Sequence, residues 1–108
     1  MNLLQRVTEP TVAVLRVLLA ADDPVWGLRI IKETGLKAGS VYPILSRLED
    51  GLWVSGEWEG HDERSGPRRR LYRFTEEGER EARRVVAEFD EKRQLAARSF
   101  RPVHGGLA

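Results

Sequence analysis

The stretch WGLRIIKETGLKAGSVYPILSRLEDG, residues 26–51, decides the fold that this chain is expected to adopt. Its first part has apolar residues at helical spacing between Trp26 and Thr34, and Gly35 follows as a helix stop. Its second part begins with Ser40, a residue type that favours the N-cap position of a helix. The apolar residues after it occupy one helix face in the i, i+3, i+4, i+7 pattern: Val41, Ile44, Leu45 and Leu48. The stretch therefore predicts two helices joined by a short turn that contains glycine.

The face of the second helix opposite this apolar stripe is small and almost uncharged. At 100° per residue, the residues that point away from the stripe or lie on its flanks are Gly39, Ser40, Tyr42, Pro43, Ser46 and Arg47. A helix face that only needs solubility usually carries glutamate and lysine, so this composition favours a surface that enters the major groove of DNA. Lys37, just before the helix, is expected to neutralise a phosphate. An ordinary solvated face with an isolated surface lysine is the alternative.

Regular structure is also predicted on both sides of this stretch. Before it, Thr8 caps a helix whose first turn contains Pro10. After it, the segments LWVSGEWEG and RRRLYRFT are rich in aromatic and β-branched residues, and with the polar loop between them (residues 60–67) they predict a β-hairpin. Thr75 then caps a final helix. Three helices, a hairpin and a helix predict a mainly α fold with a small β-hairpin (α+β), arranged as a winged helix-turn-helix.

The last helix is predicted to join two copies of the chain. Residues 1–75 would form the winged helix-turn-helix domain, residues 76–98 a dimerisation helix and residues 99–108 a flexible tail. The apolar positions of the helix form a thin stripe: Ala82, Val85, Val86, Phe89 and Ala96. Because a helix that follows a complete winged domain has little core left to cover, a symmetric partner is expected there. Packing of the stripe against the chain's own domain is the alternative.

Charge is distributed unevenly along the chain, although 18 Lys and Arg against 17 Asp and Glu leave a net charge of only +1. Residues 64–73 contain five arginines and no acid. Residues 49–63 contain six acids and neither lysine nor arginine. The near-neutral total therefore conceals one concentrated basic site.

Four arginines at the loop and second strand of the hairpin are expected to bind DNA phosphate: Arg64, Arg68, Arg69 and Arg70. Side chains alternate along a strand, so Arg69 is predicted to lie on the opposite face from its two neighbours. Ion pairing with Glu57 and Glu59 of the opposing strand is the alternative use of these arginines.

Composition and motifs exclude several classes of protein. A length of 108 residues suits one domain, and the absence of cysteine excludes a disulfide scaffold and thiolate zinc sites. With no apolar run long enough for a membrane span and no signal peptide, a cytoplasmic protein is expected. The triplet His61, Asp62 and Glu63 is interpreted as a solvated loop tip, so no metal and no cofactor are expected. No motif pairs a serine with a base and no phosphate-binding glycine loop occurs, which argues against an enzyme.

Two blocks of sequence resemble those of the PadR-like transcriptional regulators. They are GSVYPILSRLE at residues 39–49 and PRRRLYRFTEEG at residues 67–78, and the resemblance extends from residue 10 to about residue 90. It implies a winged-helix domain that binds double-stranded DNA, a homodimer built largely through the last helix, and repression at a palindromic operator. It also implies that Ser40 to Pro43 begin the recognition helix and that Arg68 to Arg70 belong to the basic strand of the wing.

Two further expectations concern partners. Members of this family often sense small molecules in a hydrophobic pore lined by aromatic residues of the last helix, but that helix offers only Phe89 in this chain, so no effector is assigned. A winged-helix module that binds another protein and no DNA is the second hypothesis. Its support is the near-zero net charge and the acidic stretch at residues 49–63. The fold alone does not decide between the two hypotheses.

Overall fold

The computed structural model describes residues 6–60 and 69–100 of the chain, and the side chains of residues 6–60 and 69–98. The four helices are α1 (Glu9–Ala20), α2 (Gly27–Thr34), α3 (Ala38–Asp50) and α4 (Glu76–Phe100). The three strands, β1 (Val25–Trp26), β2 (Val54–Trp58) and β3 (Arg70–Phe74), form one antiparallel sheet in the order β1-β3-β2. The predicted α+β fold with winged helix-turn-helix order is confirmed.

The sheet has one strand more than the predicted hairpin. Val25 and Trp26 pair with Tyr72 and Leu71, so β3 is the central strand and β1 and β2 lie on either side of it. A strand of two residues is too short to produce an alternating pattern, and the sequence therefore assigns Trp26 to the following helix. In the structure that helix begins one residue later, at Gly27.

Helix α3 begins earlier than the sequence predicts. Ser40 is not its N-cap, because the helix starts at Ala38 and Lys37 occupies the capping position without a side-chain hydrogen bond. The backbone amides of Ser40 and Val41 both donate to the Lys37 carbonyl, at 2.9 and 3.0 Å. Pro43 consequently lies inside the helix, where its ring nitrogen cannot donate to the carbonyl of Gly39. That carbonyl belongs to an exposed residue, so water can hydrogen-bond to it.

Three predicted helix ends are confirmed. The Thr8 hydroxyl oxygen accepts a hydrogen bond from the Thr11 amide at 3.3 Å and caps α1. Gly35 ends α2 with a φ of 74°, a conformation that glycine adopts without steric cost. The Thr75 hydroxyl oxygen accepts from the Gly78 amide at 2.9 Å and donates to the Leu52 carbonyl at 2.8 Å. This cap therefore also joins the start of α4 to the segment between α3 and β2.

The hydrophobic core lies between the helices and the inner face of the sheet. Its largest side chains that solvent does not reach are Trp53, Leu15, Ile30, Leu45 and Leu48. All four apolar residues of the predicted α3 stripe are buried in this core. Burial of one such side chain stabilises the fold by roughly 1.5–3 kcal/mol. The inner face of α3 is thus fixed against the domain, and its outer face is held towards solvent.

The first half of α4 belongs to this same core, which corrects the prediction for the last helix. Ala82, Val85 and Val86, expected to contact a second copy, are buried within the chain itself, where α4 packs on α1. The start of α4 also lies close to the segment between α3 and β2, because a Cβ atom on Gly78 would lie 1.9 Å from the Trp53 carbonyl oxygen. The winged domain leaves one face of α1 open, and α4 covers it. Phe89 is half-buried and Ala96 is exposed.

The described residues contain neither a helix long and apolar enough to cross a membrane nor a group of three or more histidine and acidic side chains placed to hold a metal ion. His61, Asp62 and Glu63, the candidate ligands in the sequence, lie outside the described residues.

Candidate nucleic-acid interface

The outer face of α3 is open to solvent along its whole length. The structure places every residue predicted for this face on the surface: Gly39, Ser40, Tyr42, Pro43, Ser46 and Arg47. Apart from Arg47 these residues are uncharged, and their side chains are short except for that of Tyr42. A helix of about 10–12 Å in diameter with such a low-relief face fits the width of the DNA major groove.

Tyr42 is the one residue of this face that also supports the fold. It is 45% exposed. Its ring lies against the start of α2, where a Cβ atom on Gly27 would be 2.5 Å from Tyr42 Cε1 and 2.8 Å from the hydroxyl oxygen. Glycine at position 27 therefore lets the ring pack against the α2 backbone. The contact fixes α3 relative to α2 while leaving one edge of the phenol accessible.

Two cations at the ends of α3 are available to an anion. Lys37 precedes the helix and Arg47 lies in its last turn, and both side chains are exposed. Neither forms an ion pair within residues 6–60 and 69–98. Other exposed arginines, such as Arg29 on α2, are paired with a carboxylate.

The adjacent arginines of the wing lie on opposite faces of the sheet, as strand alternation predicts. The guanidinium carbon of Arg69 lies 3.8 Å from the centroid of the Trp26 ring. The Arg69 backbone amide donates to Glu59 Oε1 at 3.1 Å, and the Glu59 amide donates to the Arg69 carbonyl at 2.8 Å. Arg69 Nε is buried without a hydrogen-bond partner among the described groups. Stacking on Trp26 therefore orients the cation at the edge of the sheet.

Arg70 has a different environment. Its Nη2 donates to Glu49 Oε2 at 2.6 Å, which joins β3 to the last turn of α3. For Arg70 the partner is thus Glu49, and not Glu57 or Glu59 of the opposing strand, which the sequence suggests for the wing arginines. No local pattern reveals the Glu49 contact, since its two residues are 21 positions apart.

A neutral phenol lies beside this ion pair. Burial of Tyr72, and then the nearby Glu49 carboxylate, raise the pKa of Tyr72 above its ordinary value, although the Arg70 cation acts in the opposite direction. The side chain therefore stays protonated at neutral pH. Tyr42 is also close enough to affect this phenol, so α3 and β3 meet at a cluster of polar side chains next to the outer face of the helix.

The remaining predicted residues and one missed residue complete the surface. Arg64 and Arg68 lie outside the described residues. Trp58 is 60% exposed at the end of β2. Arg73 is exposed on β3 and was not among the predicted contacts. Its position two residues after Leu71, on the solvent side of the alternating strand, is the signal that identifies it.

Comparison with known proteins identifies the family. The model of the transcriptional regulator PadR-like family matches residues 14–84, about two thirds of the chain. The chain belongs to this family. No curated protein matches it. As a PadR-like protein, it is a transcriptional regulator of a DNA-binding class and not an enzyme.

Several solved structures share the fold of this chain. A PadR family transcription regulator from hypervirulent Clostridium difficile R20291 is 23% identical, with a TM-score of 0.65 over 82% of this chain and 96% of that chain. A PadR-like transcription factor from Bacteroides fragilis is 24% identical, with a TM-score of 0.65 over 82% and 86% of the two chains. The PcaV transcriptional regulator from Streptomyces coelicolor is 26% identical, with a TM-score of 0.72 over 87% of this chain and 65% of that chain.

Proposed function

We propose that this PadR-like protein is a sequence-specific regulator that binds a palindromic DNA operator as a homodimer and represses transcription in the cytoplasm. The outer face of α3 is the observation that carries the proposal. It is exposed, low in relief and free of acidic side chains until Glu49, while its inner face is fixed in the core. Such a helix can enter the major groove without displacing any part of the domain.

The contacts divide into those that select the sequence and those that provide affinity. Residues on the outer face of α3 meet base edges and nearby backbone: Gly39, Ser40, Tyr42, Pro43, Ser46 and Arg47. Arg47 can donate two hydrogen bonds to one guanine, the commonest specific contact of this kind. Cations before the helix and in the wing bind phosphate and fix the register: Lys37, Arg64, Arg68 and Arg69.

The second half of α4 supports the homodimer. A helix of 25 residues is about 37 Å long, and the molecule is correspondingly elongated, 67 Å along its longest axis against 29 and 24 Å. A groove of about 650 Å³ runs between α4 and the N-terminal segment, with Val7, Phe89 and Ala96 among its lining residues. Most charged side chains on its rim are already paired within the chain, so a second copy related by a two-fold axis can cover the apolar residues between them. Two copies would then present their α3 helices to half-sites about 34 Å apart.

A small-molecule effector is a second candidate for this groove. Its volume lies in the range of small-molecule sites, roughly 300–1,000 Å³. The PcaV regulator from Streptomyces coelicolor, whose structure is 23% identical over 95% of this chain, was solved in complex with its natural ligand. Quenching of the intrinsic tryptophan fluorescence, to which Trp53 at the groove contributes, by small organic compounds would test this candidate, with Phe89→Ala as the control variant.

Fluorescence anisotropy tests DNA binding. The pure protein is titrated against duplex from the region upstream of its own gene and against a scrambled duplex, over a series of salt concentrations. Affinity should fall with a logarithmic slope of about −0.9 for each phosphate neutralised, and the two duplexes should differ by about 10³ or more in affinity. A steep salt dependence with equal affinity for the two duplexes would mean that the operator does not lie in the region upstream of the gene. No binding at low salt would favour the protein-binding module instead.

Substitution of Arg47 tests the groove assignment. Arg47→Ala should lower affinity for the operator by about tenfold or more and reduce discrimination between operator and scrambled duplex. Arg80→Ala, which removes an exposed cation from α4, is the matched control and should change neither quantity. If Arg47→Ala left both affinity and discrimination unchanged, α3 would not lie in the groove as proposed.

A further inference from the structure

We propose that Arg70 and Glu49 form a clamp that fixes the wing relative to α3, so that Arg70 is a positioning residue and does not bind phosphate. The inference rests on the proposed function, because the clamp matters for the geometry with which the two elements meet DNA. It assigns different roles to Arg69 and Arg70, which the sequence treats alike.

The first argument is that the Arg70 cation already has a partner. Nη2 of Arg70 lies 2.6 Å from Glu49 Oε2, and the side chains retain only 30% and 33% of their exposure. A hydrogen bond between two charged groups is shorter and stronger than one between neutral groups, and partial burial reduces its screening by salt. If Arg70 moved to a phosphate, the Glu49 carboxylate would be left without this partner and close to another anion.

The second argument is that the surroundings hold the guanidinium where it is. A Cβ atom on Gly56 would lie 2.9 Å from Arg70 Nη2 and 3.0 Å from Nε, so the absence of a side chain on β2 provides the space for the group. On another side the Trp58 ring centroid is 5.2 Å from the guanidinium carbon. The Tyr72 phenol is also near, since the Arg70 cation acts to lower the pKa of that phenol. Groups from α3, β2 and β3 therefore enclose this one cation.

The third argument is the place of the clamp beside the outer face of α3. Tyr42, Ser46 and Glu49 follow each other at i, i+4 and i+7, so they form one row along the helix. Ser46, a proposed groove contact, lies between the residue that packs on α2 and the residue that holds the wing. A change in the angle between wing and helix would therefore alter how both meet the duplex.

Arg69 provides the internal comparison. Its side chain stacks on Trp26 on the other face of the sheet, and it forms no ion pair with another described residue. Of the two neighbours, Arg69 is the one whose charge remains available for phosphate. A measurement that separates loss of a phosphate contact from loss of geometry will therefore give different results for the two arginines.

Removal of the Glu49 charge gives the sharpest test. The phosphate-binding role and the clamp role of Arg70 predict opposite changes in affinity for the operator. An operator is first selected from a random-sequence duplex pool with the wild-type protein. If Arg70 binds phosphate, Glu49→Gln removes a competing anion and should strengthen binding. If Arg70 is a clamp, the isosteric Glu49→Gln should weaken operator binding by about tenfold. It should also reduce the difference in affinity between the operator and a scrambled duplex. Glu57→Gln, an exposed acid of the same wing, is the matched control and should not weaken binding.

The salt dependence of binding gives the second readout. Arg69→Gln should reduce the logarithmic salt slope by about 0.9, the loss of one phosphate contact. Arg70→Gln should lower affinity and leave the slope unchanged. Glu49→Gln combined with Arg70→Gln should bind no more weakly than either single variant, since both remove the same contact. Arg70→Lys, which retains a cation, serves as the second variant if Arg70→Gln does not fold.

The outcomes separate the two levels of inference. If no duplex is enriched by the wild-type protein, the proposed DNA-binding function fails, and the clamp's role in it fails too. If the wild-type protein binds an operator but Glu49→Gln binds it as tightly or more tightly, or Arg70→Gln reduces the slope as Arg69→Gln does, the clamp is overturned while DNA binding stands.

Discussion

The two halves of α4 continue one helix but have different surroundings. In the first half, Ala82, Val85 and Val86 are buried against the rest of the chain. In the second half, every residue from Glu91 to Arg98 is exposed. The first half is attached to the domain by packing, whereas the connections around the midpoint are ion pairs, Arg16 with Asp90 and Arg93 with Glu9.

This difference shows that an apolar stripe does not identify its own partner. The same spacing places Val86 in the core of the chain and Ala96 at its surface. Packing of an amphipathic face supplies most helical stability in proteins. The first half of α4 is already packed on the domain, so only the second half gains stability by pairing with another surface. The following predictions test this contrast, from the largest expected effect to the smallest.

One acidic substitution placed in each half should give the clearest contrast. Val86→Asp buries an unpaired carboxylate and should lower the free energy of unfolding by about 4 kcal/mol or more. Ala96→Asp should change the unfolding free energy of the single chain by no more than about 0.5 kcal/mol, but should shift the oligomer towards monomer. Chemical denaturation at low concentration and sedimentation velocity measure the two effects. If Ala96→Asp remained a dimer, the second half of α4 would not be part of the dimer interface.

The close approach of α4 to Trp53 should also be sensitive to volume. Gly78→Ala places a methyl group where the Trp53 carbonyl oxygen lies 1.9 Å away, so the helix must shift and the unfolding free energy should fall by about 3 kcal/mol. Gly39→Ala has open space around the new Cβ atom and should not destabilise the fold. Thermal unfolding of both variants checks the expectation. Equal melting temperatures for Gly78→Ala and Gly39→Ala would contradict the close approach of α4 to Trp53.

The cap at the start of α4 should have an intermediate effect. Thr75→Ala removes the acceptor of the Gly78 amide and the donor to the Leu52 carbonyl, so a loss of about 1–2 kcal/mol in unfolding free energy is expected. Thr75→Ser retains the hydroxyl and should recover most of it. Urea denaturation measures both variants, and a failure of serine to restore stability would assign the effect to the lost methyl group.

The ion pair of Arg16 with Asp90 should have the smallest effect. Hydrogen bonding to Arg16 lowers the pKa of Asp90, so the pair stabilises the fold above the unfolded pKa of the carboxyl, near 3.8. This contribution is lost as the pH falls through the lower, folded pKa. Asp90→Asn should therefore lower the melting temperature slightly at pH 7 and not at all in strong acid. If the difference in melting temperature between wild type and Asp90→Asn increased as the pH fell, the pair would not stabilise the fold in the way described.

Much of the fold could be predicted from the chain because its signals are local. Thr8, Gly35 and Thr75 mark helix ends through their own backbone and hydroxyl chemistry, and the α3 stripe repeats at helical spacing. Ser40 misled the prediction, since its hydroxyl suits a cap wherever it stands, while the turn after Gly35 lets the helix begin at Ala38. Strand β1 was not predicted, because a strand of two residues is too short to show the alternation of buried and exposed side chains.

The candidate site was predictable only in part. The exposure of the outer face of α3 follows from the position of its buried stripe, and the opposite orientation of Arg69 and Arg70 follows from strand alternation. The partners of those arginines do not follow, because Glu49 and Trp26 reach them from elements distant in sequence. Arg69 and Arg70 are adjacent and chemically identical, yet one stacks on an indole and the other binds a carboxylate.

The amino-acid pattern is therefore enough to predict the order of the elements, the winged helix-turn-helix fold and the face of α3 that remains in solvent. These depend on periodicity, caps and turns, which act over a few residues. Three-dimensional packing was needed to establish which half of α4 the domain buries and which wing arginine remains available to bind an anion. Both depend on the partner that packing brings within contact distance, and no spacing along the chain encodes that partner.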